Sequence, residues 1–393
     1  MLGSIYIGLS GMNAYSKGLQ TISNNVANLN TLGYKSTSLS FSDVYTSGSA
    51  GQSYLGATAS GAGGGVRFDA SGVDFGQGDL RATDSELDLA IQGSGFLVLL
   101  DGDKSYFART GSFTVNEDGY IVDQSTGYRL AVLDENRQPV ALSLDSRRGN
   151  PPVATTRITF ANNISSTATE AAVSNIAVYD SNGGKHTWKV AFTPVSGSAG
   201  EWTVTVTDQS GDVLKTATLK FNGSVPDPTT SLITVTDTPP NADALSVVLD
   251  FSQGVTSWSA TSTISAAKVD GVGAGTLTSV TIEDDGQVKL TYSNDETVEL
   301  GFIAIADVRD PQSLERVGSG LFENPSGTEV RYLASGSEGV GKLVSKQLEA
   351  SNVDLAQQFG DLILVQRGFQ ASSQVVSVSN DMIQQLFGIR GQG

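Results

Sequence analysis

LEASNVDLAQQFGDLILVQRGFQASSQVVSVSNDMIQQLFGIR, residues 348–390, carries the longest unbroken heptad periodicity of the chain. Read in sevens, Leu355, Leu362, Phe369, Val376 and Ile383 recur without a break, and Phe359 and Phe387 join them at the intervening four-residue step. Apolar residues at that spacing form one stripe on a long helix. The same step also holds Gln366, Ser373 and Asn380, so the seam is half apolar, half neutral-polar and free of charge. Beside it Leu364, Val365, Val375, Met382 and Leu386 widen the apolar surface beyond what one partner helix covers. Such a helix expects several neighbours.

Residues 3–29 repeat the pattern. Ile5, Met12, Leu19 and Val26 are spaced by seven, and Tyr15, Ile22 and Leu29 lie three residues after members of that set, with Gly8 completing the seam. Matching stripes at the two ends predict that the ends pack together. A helix this short gains too little from one seam to be stable alone, so both tails are expected to be poorly ordered in the monomer and to fold on assembly.

Between the tails the composition is that of a turn-rich β protein: 45 glycines, 10 prolines and only 17 % charged residues within 39 % apolar content. The net charge of −17 sits in the middle of the chain, because residues 1–42 carry only Lys17 and Lys35 and residues 351–393 nearly balance. An acidic body offers no cations to neutralise phosphate or bind an anionic lipid surface, which argues against nucleic acid and membrane partners. With no cysteine and a single histidine, His186, the chain has no disulfides, thiolate metal sites or Cys–His catalysis. No run of eighteen apolar residues occurs, and the N-terminus lacks a basic head and continuous apolar stretch, so a protein made without a cleaved signal is expected.

Residues 31–70, rich in Ser, Thr, Gly and Ala, read as a linker or loosely packed connector. From there to residue 145 short strands alternate with turns, as in Phe96–Leu100 and Ser112–Val115. Strict alternation in Trp188, Val190, Phe192 and in Trp202, Val204, Val206 marks half-buried strands, and Ser181–Lys185 reads as a hairpin turn. After Asp284 the chain is expected to rejoin the first β domain. The fold class is therefore mainly β with α-helical termini: N- and C-terminal helices form a coiled-coil-like pair, connected to two nested β-rich domains. The expected division is 1–30 plus 351–393 as the terminal helical domain, 31–70 as connector, 71–145 plus 285–350 as the first β domain, and 146–284 as an inserted outer β domain.

Few residues suggest chemistry. Gly336, Gly341 and Lys342 have the Gly-x4-Gly-Lys spacing that cradles phosphates, after a strand-like Val330–Ala334 and before an expected helix. Leu343, however, replaces the hydroxyl that would hold magnesium, and the alternating strand–helix units of a nucleotide-binding sheet are missing. The bland reading is a glycine-rich loop. Asp84, Glu86 and Asp88, like Glu283, Asp284 and Asp285, read as solvated acids of an acidic surface. His186 reads as an exposed or hydrogen-bonded residue beside a turn. No catalytic, cofactor-binding or metal-binding residue is assigned, and the chain is expected not to be an enzyme.

The motif Ser10-Gly11-Met12 followed by Asn24-Asn25-Val26-Ala27-Asn28, Thr31, Gly33, Tyr34 and Lys35 resembles the N-terminal signature of the bacterial flagellar rod and hook protein family. Leu348-Glu349-Ala350-Ser351-Asn352-Val353-Asp354 and Gln366-Arg367-Gly368-Phe369-Gln370 are similar to its other end, with Phe369 where tyrosine is common. Asp88–Phe96 and Phe107-Ala108-Arg109-Thr110-Gly111 also match its pattern. Length and the inserted domain resemble the hook branch of that family; distal rod proteins, the alternative, are similar at both ends but shorter. The resemblance implies a self-assembling helical homopolymer with terminal helices around a channel, export by the flagellar type III apparatus, and a flexible coupling that carries motor torque. It also implies contacts with the distal rod, the hook cap and hook–filament junction proteins, and a place in the extracellular flagellum.

Overall fold

A computed structural model describes residues 2–45, 63–69, 72–240 and 242–390. Residues 46–62 and 70 of the expected connector, and Met1 and 391–393 of the expected terminal domain, lie outside the described residues, as does the side chain of Leu386. The chain is mostly strand, with one long helix at each end: α1, Leu2–Ala27, and α2, Leu355–Arg390. It divides into two compact units. The first comprises Met1–Leu144, Thr281–Lys289 and Glu299–Gly393; the second comprises Asp145–Val280 and Leu290–Val298.

The second unit shows the clearest passage from pattern to packing. Strands Ala171–Tyr179, Lys185–Pro194, Glu201–Thr207, Val213–Asn222 and Val225–Pro226 form one antiparallel sheet in chain order. A second five-stranded sheet is built around Arg157–Ser165. The inward residues of both share one core: Trp188, Val190, Phe192, Trp202, Val204 and Val206 meet Phe160 and Phe251, whose rings stack at 4.6 Å. Period-two alternation is what a sheet with one buried face requires. The hairpin at Ser181–Lys185 forms where its Asn and Gly residues expect it, with Gly183 at φ 84°.

In the first unit a twelve-stranded sheet contains strands Asp88–Gln92 through Arg129–Leu133 and returns through Ile305–Val308 and Lys342–Ser345. Its core holds Phe96, Phe107 and Phe322, and Phe75 packs edge-on to Phe96 at 5.5 Å. A short ladder pairs Leu80–Ala82 with Gln347–Glu349, immediately before α2. Two features depart from the sequence reading. The tract taken for a connector contains strands β1, Phe41–Tyr45, and β2, Gly63–Phe68, paired antiparallel. They lie on α1: Ser10 Oγ accepts from the Val66 amide at 3.2 Å, and the Tyr15 and Phe41 rings are 5.3 Å apart. The short N-terminal helix thus has two covers, α2 and this ladder. The long C-terminal helix also begins later than the apolar stretch, at Leu355. Asp354 caps it, accepting from the amides of Ala356 and Gln357 at 2.8 and 3.2 Å, as a carboxylate at an N-cap does.

A helical interface and the latch beneath it

The contact between α1 and α2 is made by small residues. A Cβ placed on Gly8 would lie 2.7 Å from Val376 Cγ2, and one on Gly11 would lie 2.5 Å from Ser372 Oγ. On Gly368 it would lie 2.5 Å from the Tyr15 ring, and on Gly18 it would touch Val365 at 3.3 Å. Partner numbers on α2 fall as those on α1 rise, so the helices run antiparallel, with backbones close enough that these positions favour glycine.

Ile22 is fully buried in this pair, while Ile5, Met12, Tyr15, Leu19, Val26 and Leu29 are half-buried. On α2, Leu362, Phe369, Val376 and Ile383 are half-buried as the heptad reading requires, but Leu355 at the first turn is exposed. The intervening step is corrected. Phe359 and Phe387, assigned to the seam, are 54 % and 70 % exposed, and the buried step is Gln358, Val365 and Ser379, with Ser372 half-buried between them. Either step fits a heptad. The glycine-lined face of α1 brings the backbones together and leaves no room for phenylalanine, which turns the smaller set inward. Leu364, Val375, Met382 and Phe387 are left exposed on α2, and Tyr6, Ile7 and Leu9 on α1.

Below the helix pair the motif residues of both ends converge. Lys35 and Glu349, distant in sequence, are fully buried, with Lys35 Nζ donating to Glu349 Oε1 at 2.6 Å and to the Gly76 carbonyl at 2.7 Å. Arg109 Nε meets Glu349 Oε2 at 3.2 Å, and its other nitrogens donate to the carbonyls of Ile91, Gly93 and Gly95. Burial pushes the Lys35 pKa below its ordinary value; Glu349 opposes that shift by charge and hydrogen bond. Gly33, at φ 66°, donates its amide to the Glu349 carbonyl at 2.8 Å in a backbone conformation that favours glycine.

Asn352 Oδ1 accepts from the Ser36 amide at 2.6 Å, and its Nδ2 donates to the carbonyls of Asp74 and Gly76. Tyr34 donates its hydroxyl to Asn25 Oδ1 at 3.1 Å, and the Arg316 guanidinium lies 4.8 Å from the Tyr34 ring centre. Asn28 Nδ2 donates to the Asn24 carbonyl at 2.9 Å, closing the last turn of α1, and its Oδ1 accepts from Thr31 Oγ1 at 3.1 Å. Asn24 itself is exposed and joins through its backbone. Arg109, Gln358 and the glycines of the seam were not singled out as site residues from sequence. The signal for Arg109 was its place in the motif Phe107-Ala108-Arg109-Thr110-Gly111 that carries the family resemblance.

The remaining candidates disperse. The expected helix after Gly336–Lys342 is absent: Lys342–Ser345 is a strand pairing with Asp88–Gln92, so the arrangement lacks the helix N-terminus that a phosphate cradle needs. The glycines serve a close approach instead, since a Cβ on Gly341 would lie 2.1 Å from the Gln92 carbonyl oxygen. Asp88 is not a solvated acid. It is buried and accepts from Ser112 Oγ at 2.5 Å. Glu86 pairs with Lys346 at 2.7 Å, Glu283 with Lys289 at 3.0 Å, and His186 with Asp180 at 2.9 Å. Among the described residues no group of three or more His, Cys, Asp or Glu side chains is placed to hold a metal ion, and no helix is long and apolar enough to cross a membrane.

Four family descriptions match the chain. Residues 5–35 match "Flagella basal body rod protein", 90–175 "Flagellar hook protein FlgE/F/G D1 domain", 143–272 "Flagellar basal body protein FlaE D2 domain", and 344–389 "Flagellar basal body rod FlgEFG protein C-terminal". The chain is similar to the flagellar hook protein FlgE of Brucella suis biovar 1, at 30 % identity over 99 % of both chains. It is also similar to that of Treponema pallidum, at 27 % identity over 99 % of this chain and 100 % of the relative. The crystal structure of Helicobacter pylori flagellar hook protein FlgE2 covers 69 % of this chain and 100 % of its own at 14 % identity, with a TM-score of 0.47.

Proposed function

Because this chain belongs to the flagellar hook protein family and is a structural subunit of the flagellar hook, we propose that α1 and α2 form the wall of the assembled tube. The apolar residues that the helix pair leaves exposed then meet neighbouring copies of the chain. The single observation that carries this reading is the uncharged row Leu364, Val375 and Met382, each at least 45 % exposed on α2 in a chain of net charge −17. A helix does not keep such a row in water without a partner to bury it.

In this reading residues 1–30 with 351–393 are the tube-forming part, 31–70 a connector whose β1–β2 ladder lies on α1, 71–145 with 285–350 the first β domain and 146–284 the inserted outer domain. The polymer is a flexible coupling that transmits torque, joined to the distal rod, the hook cap and the hook–filament junction, and the subunit reaches the cell exterior through the flagellar type III apparatus without signal cleavage. Its role in this reading is structural: the phosphate-cradle spacing is a loop between strands, and Lys35 and Arg109 pair with Glu349. The end-to-end match to hook proteins favours this over a distal rod subunit.

Leu364→Asp tests the proposal, because Leu364 is 68 % exposed and its replacement leaves the subunit's own packing untouched. The variant should keep the parent's circular dichroism and be secreted, yet form no hooks in electron micrographs. Normal hooks on motile cells would sink the reading.

A further inference from the structure

Steric fit along the seam between α1 and α2 distinguishes registers only in part. Gly8, Gly11 and Gly18 face Val376, Ser372 and Val365 in turn, and Gly368 lies against Tyr15, with no charge among them. Sliding α2 by one heptad would bring Ser379 to Gly11 and Ser372 to Gly18, replacing one small contact by another, but it would also set Val375 where Gly368 now lies against the Tyr15 ring, so that one contact resists the slip. A shift of seven helical residues is about 10 Å. A polar contact adds a second distinction between the two arrangements.

We propose that the buried amide pair Asn25–Gln358 sets the register of the α1–α2 pair, and that Asn25 ties that register to the β body. Among the described residues it is the one side-chain hydrogen bond across the seam, Asn25 Nδ2 to Gln358 Oε1 at 2.9 Å, with Asn25 1 % and Gln358 8 % exposed. Asn25 is also saturated. Its Nδ2 donates a second time, to the Thr37 carbonyl at 2.9 Å, and its Oδ1 accepts from the Tyr34 hydroxyl at 3.1 Å and the Thr37 amide at 3.0 Å. A carboxamide has two donors and an acceptor with two lone pairs, and all are engaged. A one-heptad slip places Val365 opposite Asn25, leaving a buried donor facing methyl groups and the Gln358 amide without its mate. Burying such groups unpaired is what makes a polar residue in an apolar seam a register device. Tyr34 and Thr37 flank Lys35, so the amide that aligns the helices sits against the segment pinned by Glu349.

The consequence for assembly rests on the proposed tube wall: a slipped α2 would present its exposed row about 10 Å out of place. The register itself does not depend on that reading and is measured on the soluble subunit. The chain has no cysteine, so Gly11→Cys with Ser372→Cys reports the observed register by intramolecular disulfide formation, and Gly11→Cys with Ser379→Cys reports the slipped one. Each pair is placed in the parent, in Gln358→Leu, and in Asn25→Leu with Gln358→Leu, and disulfide yield is read by mass after mild oxidation at high dilution. The parent should close 11–372 and leave 11–379 at background. Both leucine backgrounds should raise the ratio of 11–379 to 11–372 closure at least about tenfold, equivalent to about 1.4 kcal/mol. An unchanged ratio overturns the proposal, since the Lys35–Glu349–Arg109 cluster would then suffice to align the helices. Loss of both disulfides without slipped closure overturns it too, because the amide pair would be supplying strength and not register. Should the double variant lose its helical signal, Gln358→Leu, which leaves three of the four Asn25 bonds in place, decides by the same ratio.

Discussion

Replacing Glu349 by Gln preserves the side chain's shape and removes its charge where no water can take over. Oε1 faces the Lys35 ammonium at 2.6 Å and the Gly78 amide at 2.7 Å, and Oε2 faces Arg109 at 3.2 Å. Arg109 keeps its carbonyl acceptors at Ile91, Gly93 and Gly95, so the loss falls mainly on Lys35, whose ammonium is left with neutral oxygens only, the Gly76 carbonyl and the glutamine amide oxygen. Stripping one partner from a buried ion pair costs about 3–5 kcal/mol. For a unit of this size that lowers the melting midpoint by roughly 6–20 °C, read by far-UV circular dichroism. Adding Lys35→Met removes the stranded ammonium and should return on the order of 1–3 kcal/mol. The pH response has a definite sign. Burial holds the Lys35 pKa below 10.5 and Glu349 raises it, so without Glu349 it falls further. A base whose folded pKa lies below its unfolded value destabilises the fold while charged, and the penalty fades as pH rises from the folded pKa toward the unfolded one. The deficit of Glu349→Gln should therefore shrink between neutral pH and about pH 10. A variant melting within about 2 °C of the parent at neutral pH, or a deficit that stays constant with pH, would refute the coupling of these charges.

Gly368→Ala should destabilise the helix pair by about 1–3 kcal/mol, because the new Cβ meets the Tyr15 ring. Gly360→Ala meets nothing within 4 Å and should gain up to about 1 kcal/mol from helix propensity, so equal thermal shifts in the two variants would contradict the close-packed seam. Asp180 is held below the usual carboxylate range by its hydrogen bond with His186, opposed by burial and reinforced by the Gly184 and Asn182 amides. A depressed carboxylate stabilises above its unfolded pKa and loses that contribution as pH falls through its folded one. In urea titrations followed by the emission of Trp188, Trp202 and Trp258, all in the second unit, Asp180→Asn should be less stable than the parent at neutral pH, with the gap closing below about pH 3. A gap that persists in acid would exclude that role. Because α2 is longer than α1, its last turn overhangs the pair with Phe387 exposed. Limited chymotrypsin digestion should cut there well before the half-buried Phe369, and equal cleavage rates would argue against the pairing.

Much of this protein was legible without coordinates. Heptad spacing at Leu362, Phe369, Val376 and Ile383 announced a helix, and alternation at Trp188, Val190 and Phe192 announced strands, because side-chain periodicity is a local property of the backbone. A net charge near zero in the tails separated them from the acidic body, because composition too is read locally along the chain. What periodicity cannot supply is the partner. Phe359 and Gln358 stand on adjacent steps of one heptad, and only the glycines of α1, more than 330 residues away, decide that the glutamine turns inward. Lys35, Arg109 and Glu349 were three separate charges in the chain, one of them passed over, until folding enclosed them where their mutual attraction offsets the loss of water. The loop from Gly336 to Lys342 carried a phosphate-binding spacing, but its glycines answer to the Gln92 backbone beside them. The sequence by itself determined which surfaces are apolar and at what period; the tertiary structure decided which of them meet, because steric fit and burial depend on residues that the chain brings together only when it closes.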